Sequence, residues 1–194
     1  MCHAFLRDAR FWTALLEIDR DIAERAREGG CGLCGGPLHR ACYERKPRGV
    51  KAQGLSLEFC YRLSFCCGRD GCRRRLTPAS VRFLGAKVYV GAVVVLVTAM
   101  LQGPTPPGMR RLHSLFGANR RTVARWQKLW RKVFPSTKFW ATAKAQFMPP
   151  VDDGKLPHSL MERFGEATFE KKLQAVLQFL APITIPGGLA MSAR

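Results

Sequence analysis

The sequence CGLC at residues 31–34, followed a few dozen residues later by CGRDGC at residues 67–72, decides how the middle of this chain folds. Each cysteine pair can form a tight turn with both sulfur atoms on one side, and zinc binds four such sulfurs as a tetrahedron. The pattern predicts a small zinc ribbon in which one ion is held by Cys31, Cys34, Cys67 and Cys72. Four sulfur ligands leave no open position for water, so the predicted site is structural.

The second cysteine pair leaves its ligand set open. Four residues separate Cys67 from Cys72, and five separate Cys66 from Cys72, where two is the usual spacing. Neighbouring side chains diverge, so Cys66 competes with Cys67 and does not join it on one ion. The other candidates are expected to be ordinary polar or buried side chains: Cys2, His39, Cys42 and Cys60.

The charge of the chain is strongly one-sided. Lys and Arg number 32 against 14 Asp and Glu, which gives a formal net charge of +18. Phosphate backbones are the usual partners of such a surplus, so a nucleic acid is the expected partner. A solubility surplus or a membrane-surface patch is the alternative. A hydrophobic content of 47% is enough for a folded chain and argues against disorder.

We expect neither a secretory leader nor a membrane span in this chain. Residues 1–10 place charges where the apolar part of a secretory signal would begin. Without export, the 8 cysteines are expected to be reduced thiols and metal ligands. The longest apolar run, residues 88–101, is shorter than the roughly 20 residues that a bilayer requires. It predicts a helix that is buried on nearly every side.

The remaining periodicity predicts a mainly α-helical fold with a small β zinc ribbon. Residues 5–28 indicate an amphipathic helix with Trp12, Leu15, Leu16, Asp19 and Ile22 on one face. Residues 55–65 alternate loosely and predict one or two strands. The expected organisation is an N-terminal amphipathic helix (residues 1–30), a zinc ribbon (31–76), a helical DNA-binding domain (77–134) and a C-terminal helical extension (135–194).

Two further helices are predicted outside the ribbon. The dipeptide Thr77-Pro78 is typical of a helix start, and this short helix should end near Gly85. Residues 103–108 read GPTPPG and predict a break in the chain. The C-terminal helix is indicated by apolar residues at helical spacing, which are Phe169, Leu173, Val176, Leu177 and Leu180.

Residues 109–126 predict a helix-turn-helix. The first helix has an apolar edge formed by Leu112, Leu115 and Phe116. Gly117 stands where the tight turn requires a positive φ. Asn119 is expected to cap the second helix by accepting a hydrogen bond from the backbone N–H near Thr122. The second helix should run to about residue 134.

The second helix divides into an apolar and a basic face. Its predicted buried stripe consists of Val123, Trp126, Trp130 and either Val133 or Phe134. Bases follow on another face at positions i, i+4, i+7 and i+11, which are Arg121, Arg125, Lys128 and Lys132. Residues 109–147 contain no Asp or Glu, so the bases repel one another unless phosphates are near. A basic packing helix without DNA contact is the alternative.

The helix-turn-helix suggests which residues bind DNA. In the usual docking, the N-terminal end of the second helix reaches base edges in the major groove. The predicted base-reading residues are Asn119, Arg120, Arg121 and Arg125. The predicted phosphate contacts are Lys128, Arg131 and Lys132.

These motifs together resemble the DNA-recognition part of bacterial insertion-sequence transposases and small basic proteins encoded beside such elements. The resemblance rests on the sequence CGLCGGPLH at residues 31–39, on the second pair with CRRR at residues 72–75, on Thr77-Pro78 and on the helix-turn-helix. It covers roughly residues 31–134 and implies a zinc ribbon and a helix-turn-helix that bind terminal repeats. The long second cysteine pair departs from the common spacing of two.

The resemblance does not extend to a catalytic core. A transposase of the retroviral-integrase type would add three spaced acids, whereas Asp152 and Asp153 lie in a proline-flanked loop. We therefore expect no enzyme but a zinc-dependent duplex-DNA-binding protein, bacterial, cytoplasmic and associated with the nucleoid. A separate transposase or integrase subunit is an expected partner, and a homodimer is possible in this class. A transcriptional regulator of the same architecture and an RNA-binding zinc-ribbon protein are the alternatives.

Overall fold

The computed structural model describes residues 4–50, 52–84, 89–100 and 105–191. These residues form a mainly helical protein with a small β portion, which confirms the predicted fold class at that level. The helices are α1 (Ala9–Glu28), α2 (Gly91–Met100), α3 (Pro106–Phe116), α4 (Arg120–Lys128), α5 (Lys138–Ala143), α6 (His158–Met161) and α7 (Phe169–Leu180). The strands are β1 (Leu38–Arg40), β2 (Tyr43–Glu44), β3 (Tyr61–Arg62), β4 (Phe65–Cys67) and β5 (Arg75–Leu76).

Helix α1 confirms the predicted N-terminal helix. Asp8 caps its first turn by accepting from the backbone N–H of Arg10, and a short 3-10 turn, Ala4–Arg7, precedes it. The helix ends before Gly30, whose φ of 69° suits glycine. Its buried face consists of Phe11, Trp12, Leu15, Leu16, Asp19 and Ala23. This face makes α1 part of the main hydrophobic core.

One carboxylate on this face forms a buried ion pair with Arg82. Asp19 is 1% exposed, Arg82 is 0% exposed, and Nε of Arg82 lies 2.8 Å from Oδ2 of Asp19. The same carboxylate accepts from Oγ of Ser80 and from the backbone N–H of Val81, each at 2.6 Å. Because burying a charge is costly unless it is paired and hydrogen-bonded, this network fixes α1 against residues 80–82.

The ion pair explains why the predicted helix at Thr77–Gly85 is wrong. Residues 77–84 are non-helical, and Gly85 lies outside the described residues. The backbone N–H of Val81 donates to Asp19, and that of Ser80 donates to Oγ1 of Thr184 at 2.8 Å. With a cap at Thr77, the amide of Val81 would be the first donor of the i→i−4 ladder, and it binds a distant side chain instead. Tertiary contacts therefore override the local helix signal.

Helix α2 confirms the helix predicted for the apolar run. Its residues 92–97 are at most 3% exposed, and it packs against α4, α6 and α7. Val88, Leu101, Gly103 and Pro104, which the predictions also named, lie outside the described residues. The break predicted for residues 103–108 is wrong for its last three residues, which form the first turn of α3 after the cap at Thr105. In the described part of the chain, no helix has both the length and the apolar character that crossing a membrane requires.

The strands form two small antiparallel sheets. The first has the order β1-β4-β5, with Leu38 opposite Cys67 and Phe65 opposite Leu76. The second joins β2 and β3. Strand β3 and the start of β4 fall in the stretch predicted to supply strands, after a 3-10 turn at Leu57–Cys60. A second, smaller hydrophobic cluster that includes Cys31 and Cys67 lies in this region.

The C-terminal region packs on the main core as predicted. Four of the five predicted positions of α7 are buried: Leu173, Val176, Leu177 and Leu180. Trp140 of α5 is fully buried, and its indole N–H donates to Oδ1 of Asp153 at 2.7 Å. Asp152 accepts from the backbone N–H of Gly154 at 2.8 Å. The two acids of the proline-flanked loop therefore hold local structure.

Breaking the buried ion pair should destabilise the protein strongly. Arg82→Met leaves the Asp19 carboxylate buried without its cation, so we expect the free energy of unfolding to fall by about 3–5 kcal/mol. Urea denaturation measures this loss. The matched control is Arg27→Met, which removes an exposed ion pair with Glu24 and should change the free energy of unfolding far less, because water screens that pair. Equal losses in the two variants would show that Asp19 and Arg82 do not hold the fold.

Candidate metal centre and nucleic-acid interface

The four cysteines predicted as one ligand set lie together. The sulfur atoms of Cys31, Cys34, Cys67 and Cys72 are all within 4.8 Å of one another. The pairs Cys34–Cys67 and Cys31–Cys72 are separated by 3.5 Å and 3.7 Å. A tetrahedron with metal–sulfur bonds of about 2.3 Å has edges of about 3.8 Å. The cluster therefore has the size of a site for one metal ion, and its separations are too long for disulfides.

The first cysteine pair is held by a glycine-rich turn. The N–H of Gly35 donates to the carbonyl of Cys31 at 2.7 Å, and the N–H of Cys31 donates to the carbonyl of Gly36 at 2.9 Å. Gly35 has a φ of 66°, which a residue with a Cβ adopts at a cost of about 1–2 kcal/mol. A Cβ at Gly36 would lie 3.1 Å from the sulfur of Cys67. Gly35 therefore makes the bend without steric cost, and Gly36 leaves room for the sulfur of Cys67.

The second cysteine pair is built on strand β4. The N–H of Cys67 donates to the carbonyl of Arg74 at 2.9 Å, so both ends of the longer loop are tied by the strand pair β4–β5. Within the loop, the N–H of Cys72 donates to the carbonyl of Arg69 at 3.1 Å. Gly71 has a φ of 82° and lets the four intervening residues curl. The unusual spacing therefore still brings both sulfurs to the cluster.

Backbone amides stabilise the thiolate of Cys31. The N–H groups of Leu33 and Cys34 both donate to its sulfur, and they lower the pKa of Cys31 to about 6. Such donors favour the charged sulfur that a metal ion binds. This residue is therefore prepared to be a ligand before the ion arrives.

The sulfurs of the second pair hold their protons more firmly. The N–H of Arg69 lowers the pKa of Cys67, but burial and the neighbouring thiols outweigh it and raise the pKa to about 12. The N–H of Arg74 likewise lowers the pKa of Cys72, and its contact with Cys34, together with burial, raises it overall. Like charges this close cannot all form without a cation, so a metal ion is what would allow four thiolates.

The competing metal ligands lie outside this group. Successive side chains on a strand point to opposite faces, so Cys66 turns away from Cys67, and its thiol donates to the carbonyl of Arg73 at 3.3 Å. His39 is opposite Cys66 in the β1–β4 ladder, and its ring covers Gly68. Cys42 and Cys60 are also separate from the cluster, and Cys2 lies outside the described residues.

The helix pair α3–α4 is joined as the sequence predicted. Gly117 ends α3 with a φ of 67°, and its N–H donates to the carbonyl of His113 at 2.8 Å. Asn119 caps α4 by accepting from the N–H of Thr122 at 2.9 Å. The hydroxyl of Tyr89 donates to the carbonyl of Gly117 at 2.9 Å. The turn is therefore fixed both by its own caps and by a side chain from the core.

The two faces of α4 are separated as expected. The buried residues of α4 and the turns that continue it are Val123, Trp126, Leu129, Trp130 and Phe134. Trp126 packs edge-on against Tyr89, with ring centroids 5.0 Å apart. The helix is regular only to Lys128, where a π-turn, Leu129–Val133, begins. The predicted i, i+4, i+7, i+11 stripe is therefore interrupted before Lys132.

All predicted DNA-binding side chains lie on the surface. The exposed residues are Asn119, Arg120, Arg121, Arg125, Lys128, Arg131 and Lys132. In the described part of the chain, no carboxylate forms an ion pair with any of these bases. Asn119 and Arg120 also line a groove of about 630 Å³ between α3 and the start of α4, together with Arg110 and His113. This surface is cationic and open to a partner.

No protein-family model matches this chain, and no curated protein or solved structure matches it.

Several residues that shape the metal centre were not predicted as site residues. The backbone amides of Leu33, Arg69 and Arg74 donate to the sulfurs, and Gly36 gives the sulfurs room. The Gly-Gly dipeptide after Cys34 indicated that the sulfurs would have room at Gly36. The amide donors depend on the backbone path, which the spacing of cysteines does not specify.

Substituting Cys66 and Cys67 one at a time should show which of the two binds the metal ion. Cys67→Ser removes one of four sulfurs and should lower the affinity for a divalent metal ion by at least 100-fold, whereas Cys66→Ser should retain one ion per chain. Metal analysis and competition with a chelator measure the two values. Equal binding by both variants would contradict the four-cysteine site.

Metal binding should release more protons as the pH falls through about 6. Above its pKa of about 6, Cys31 is already a thiolate and gives up no proton, and below that pH it gives up one more per ion. Because protons compete with the metal for sulfur, the affinity should fall over the same interval. Titration calorimetry in buffers of different ionisation enthalpy counts the protons. A release that stays constant through this interval would contradict the lowered pKa of Cys31.

Proposed function

We propose that this protein is a zinc-dependent duplex-DNA-binding protein in which α3 and α4 act as a helix-turn-helix. The single observation that carries the proposal is the exposed face of α4, where bases stand without acidic partners beside a fixed turn. A solvated helix usually mixes acids with its bases, whereas residues 109–147 contain none. Phosphates supply the negative charge that this face lacks.

Zinc is the metal that the donor set supports. Four cysteine thiolates at tetrahedral separations suit zinc, which forms closed structural sites of this kind. In this proposal the ion joins the two cysteine turns into a zinc ribbon and takes no part in chemistry. Its role is to stabilise the small sheet region, whose own hydrophobic cluster contains few residues.

The proposed docking places the start of α4 in the major groove. Helix N-terminal residues reach base edges in such complexes, so Asn119, Arg120, Arg121 and Arg125 are the proposed reading residues. Lys128 and Lys132 are proposed to bind phosphates farther along the backbone. The hydrogen bonds that fix Gly117 and Asn119 support this arrangement, since a reading helix must hold its angle.

Within this class, we propose an accessory role in a mobile genetic element, with strand cleavage supplied by a separate transposase or integrase subunit. Asp152 and Asp153 are used in local hydrogen bonds, so we assign them no catalytic role. Regulation of transcription by the same architecture is the neighbouring possibility. Selection of bound fragments from a random duplex pool separates the two, because terminal repeats of an element and an operator differ in their genomic positions.

Duplex binding should depend steeply on salt and should distinguish two kinds of residue. If about six phosphates are contacted, log K should fall with log salt at a slope of about −5. Arg121→Ala should cost about 1–3 kcal/mol at one base pair and relax sequence preference, whereas Lys128→Ala should weaken binding to all duplexes alike. Fluorescence anisotropy with selected and scrambled duplexes measures both effects.

The proposal also predicts a preference between nucleic acids. The selected duplex should outcompete structured RNA of equal length, because an A-form helix hides its major groove from side chains. Tighter binding of the RNA would contradict sequence reading by α4. So would an equal loss of affinity for every duplex in Arg121→Ala and Lys128→Ala.

A further inference from the structure

The two cysteine turns share a backbone bend but differ in the residue that makes it. Gly35 follows Cys34 with a φ of 66°, and Arg73 follows Cys72 with a φ of 44°. Both residues direct their N–H toward the carbonyl four residues earlier, at 2.7 Å for Gly35 and 3.5 Å for Arg73. The second turn therefore places an arginine where the first turn has a glycine.

The bend at Arg73 directs a backbone amide at one of the four clustered sulfurs. A left-handed residue after Cys72 turns the next amide, that of Arg74, toward the sulfur of Cys72. Glycine makes such a bend without steric conflict, whereas an L-residue brings its Cβ close to the following carbonyl. In the described part of the chain, Arg73 is the only residue other than glycine with a positive φ. The arginine is thus a poor choice for the fold.

The surroundings of Arg73 are cationic and exposed. Between Cys66 and Leu76 stand four arginines and one acid, Asp70. Arg73 lies 3.3 Å from Asp70, but these side chains are 70% and 97% exposed, so water screens the pair. The neighbouring sheet therefore presents a surplus of positive charge to the solvent.

The four arginines do not have equivalent roles. Arg75 donates to the carbonyl of Ala41 at 3.0 Å and stacks on Tyr43 at 5.7 Å, and Arg69 donates to the carbonyl of Cys34 at 2.8 Å. These two side chains hold local structure. Arg73 and Arg74 are exposed and form no comparable contact with a described backbone carbonyl. Their charges are available to a partner.

We propose that Arg73, with Arg74 beside it, forms a second phosphate-binding surface on the turn at Cys72, which contacts the DNA backbone apart from α4. This inference rests on the proposed function. The strained backbone of Arg73 is explained if its charge contributes more free energy to DNA binding than a glycine would contribute to folding. The competing explanation is that Arg73 only offsets the negative charge of a metal ion with four thiolates.

Three substitutions at Arg73 separate charge from backbone strain. Arg73→Ala removes the charge and keeps the strain, Arg73→Gly removes both, and Arg73→Lys keeps both. We expect the Ala and Gly variants to lose the same affinity for the selected duplex, about tenfold near physiological salt, with a salt slope smaller by about 0.9. The Lys variant should bind nearly as the unaltered protein does. Zinc-loaded Arg73→Gly should unfold about 2–4 °C above Arg73→Ala.

Two controls complete the experiment. Lys171→Gln removes one exposed charge from α7 and should leave the affinity and the salt slope unchanged. Zinc affinity, measured with a competing chelator, should be the same in all Arg73 variants. The inference is overturned if Arg73→Ala and Arg73→Gly bind the duplex normally, or if their loss of binding follows a loss of zinc. If the unaltered protein itself shows no salt-dependent duplex binding, the proposed function fails first.

Discussion

The structure depends on a carboxylate that has been removed from water. Asp19 lies on the apolar face of α1, and its cation, Arg82, lies between the rings of Phe59 and Phe83 at 5.2 Å and 4.9 Å. The guanidinium also donates to the carbonyls of Phe59 and Tyr61 at 2.6 Å and 3.0 Å. A buried pair is tolerated only when its remaining hydrogen-bonding groups are satisfied. The Asp19–Arg82 pair joins three parts of the chain, which are α1, the residues that lead into β3 and the extended segment at Arg82.

The two regions proposed to bind DNA are supported in different ways. The helix pair α3–α4 belongs to the main core, because Val123, Trp126 and Trp130 are buried in it. The region around Cys31 and Cys67 has only a small apolar cluster, so it is held by its strand pairing and by the chemistry of sulfur. Removing a metal ion would therefore affect the second region far more than the first.

The sequence was most informative where the determinants are local. The fixed turn at Gly117, the cap at Asn119 and the buried stripe of α4 follow from neighbouring residues, and the structure has all three. The grouping of the four cysteines followed from their spacing. The helix expected at Thr77 failed because Asp19, far away in the chain, binds the amide of Val81. A charge on an apolar face signals a buried partner, but it does not identify that partner.

The hydrogen bond from Tyr89 to Gly117 bears on the entropy of recognition. A turn tied to the core by a buried phenol has little rotational freedom to lose when its helix meets a ligand. The free and bound shapes of this part should consequently be nearly the same, and association would approach rigid-body docking. Discrimination among ligands would then depend on how well each ligand fits a surface that is already formed. No segment would need to become ordered around the ligand.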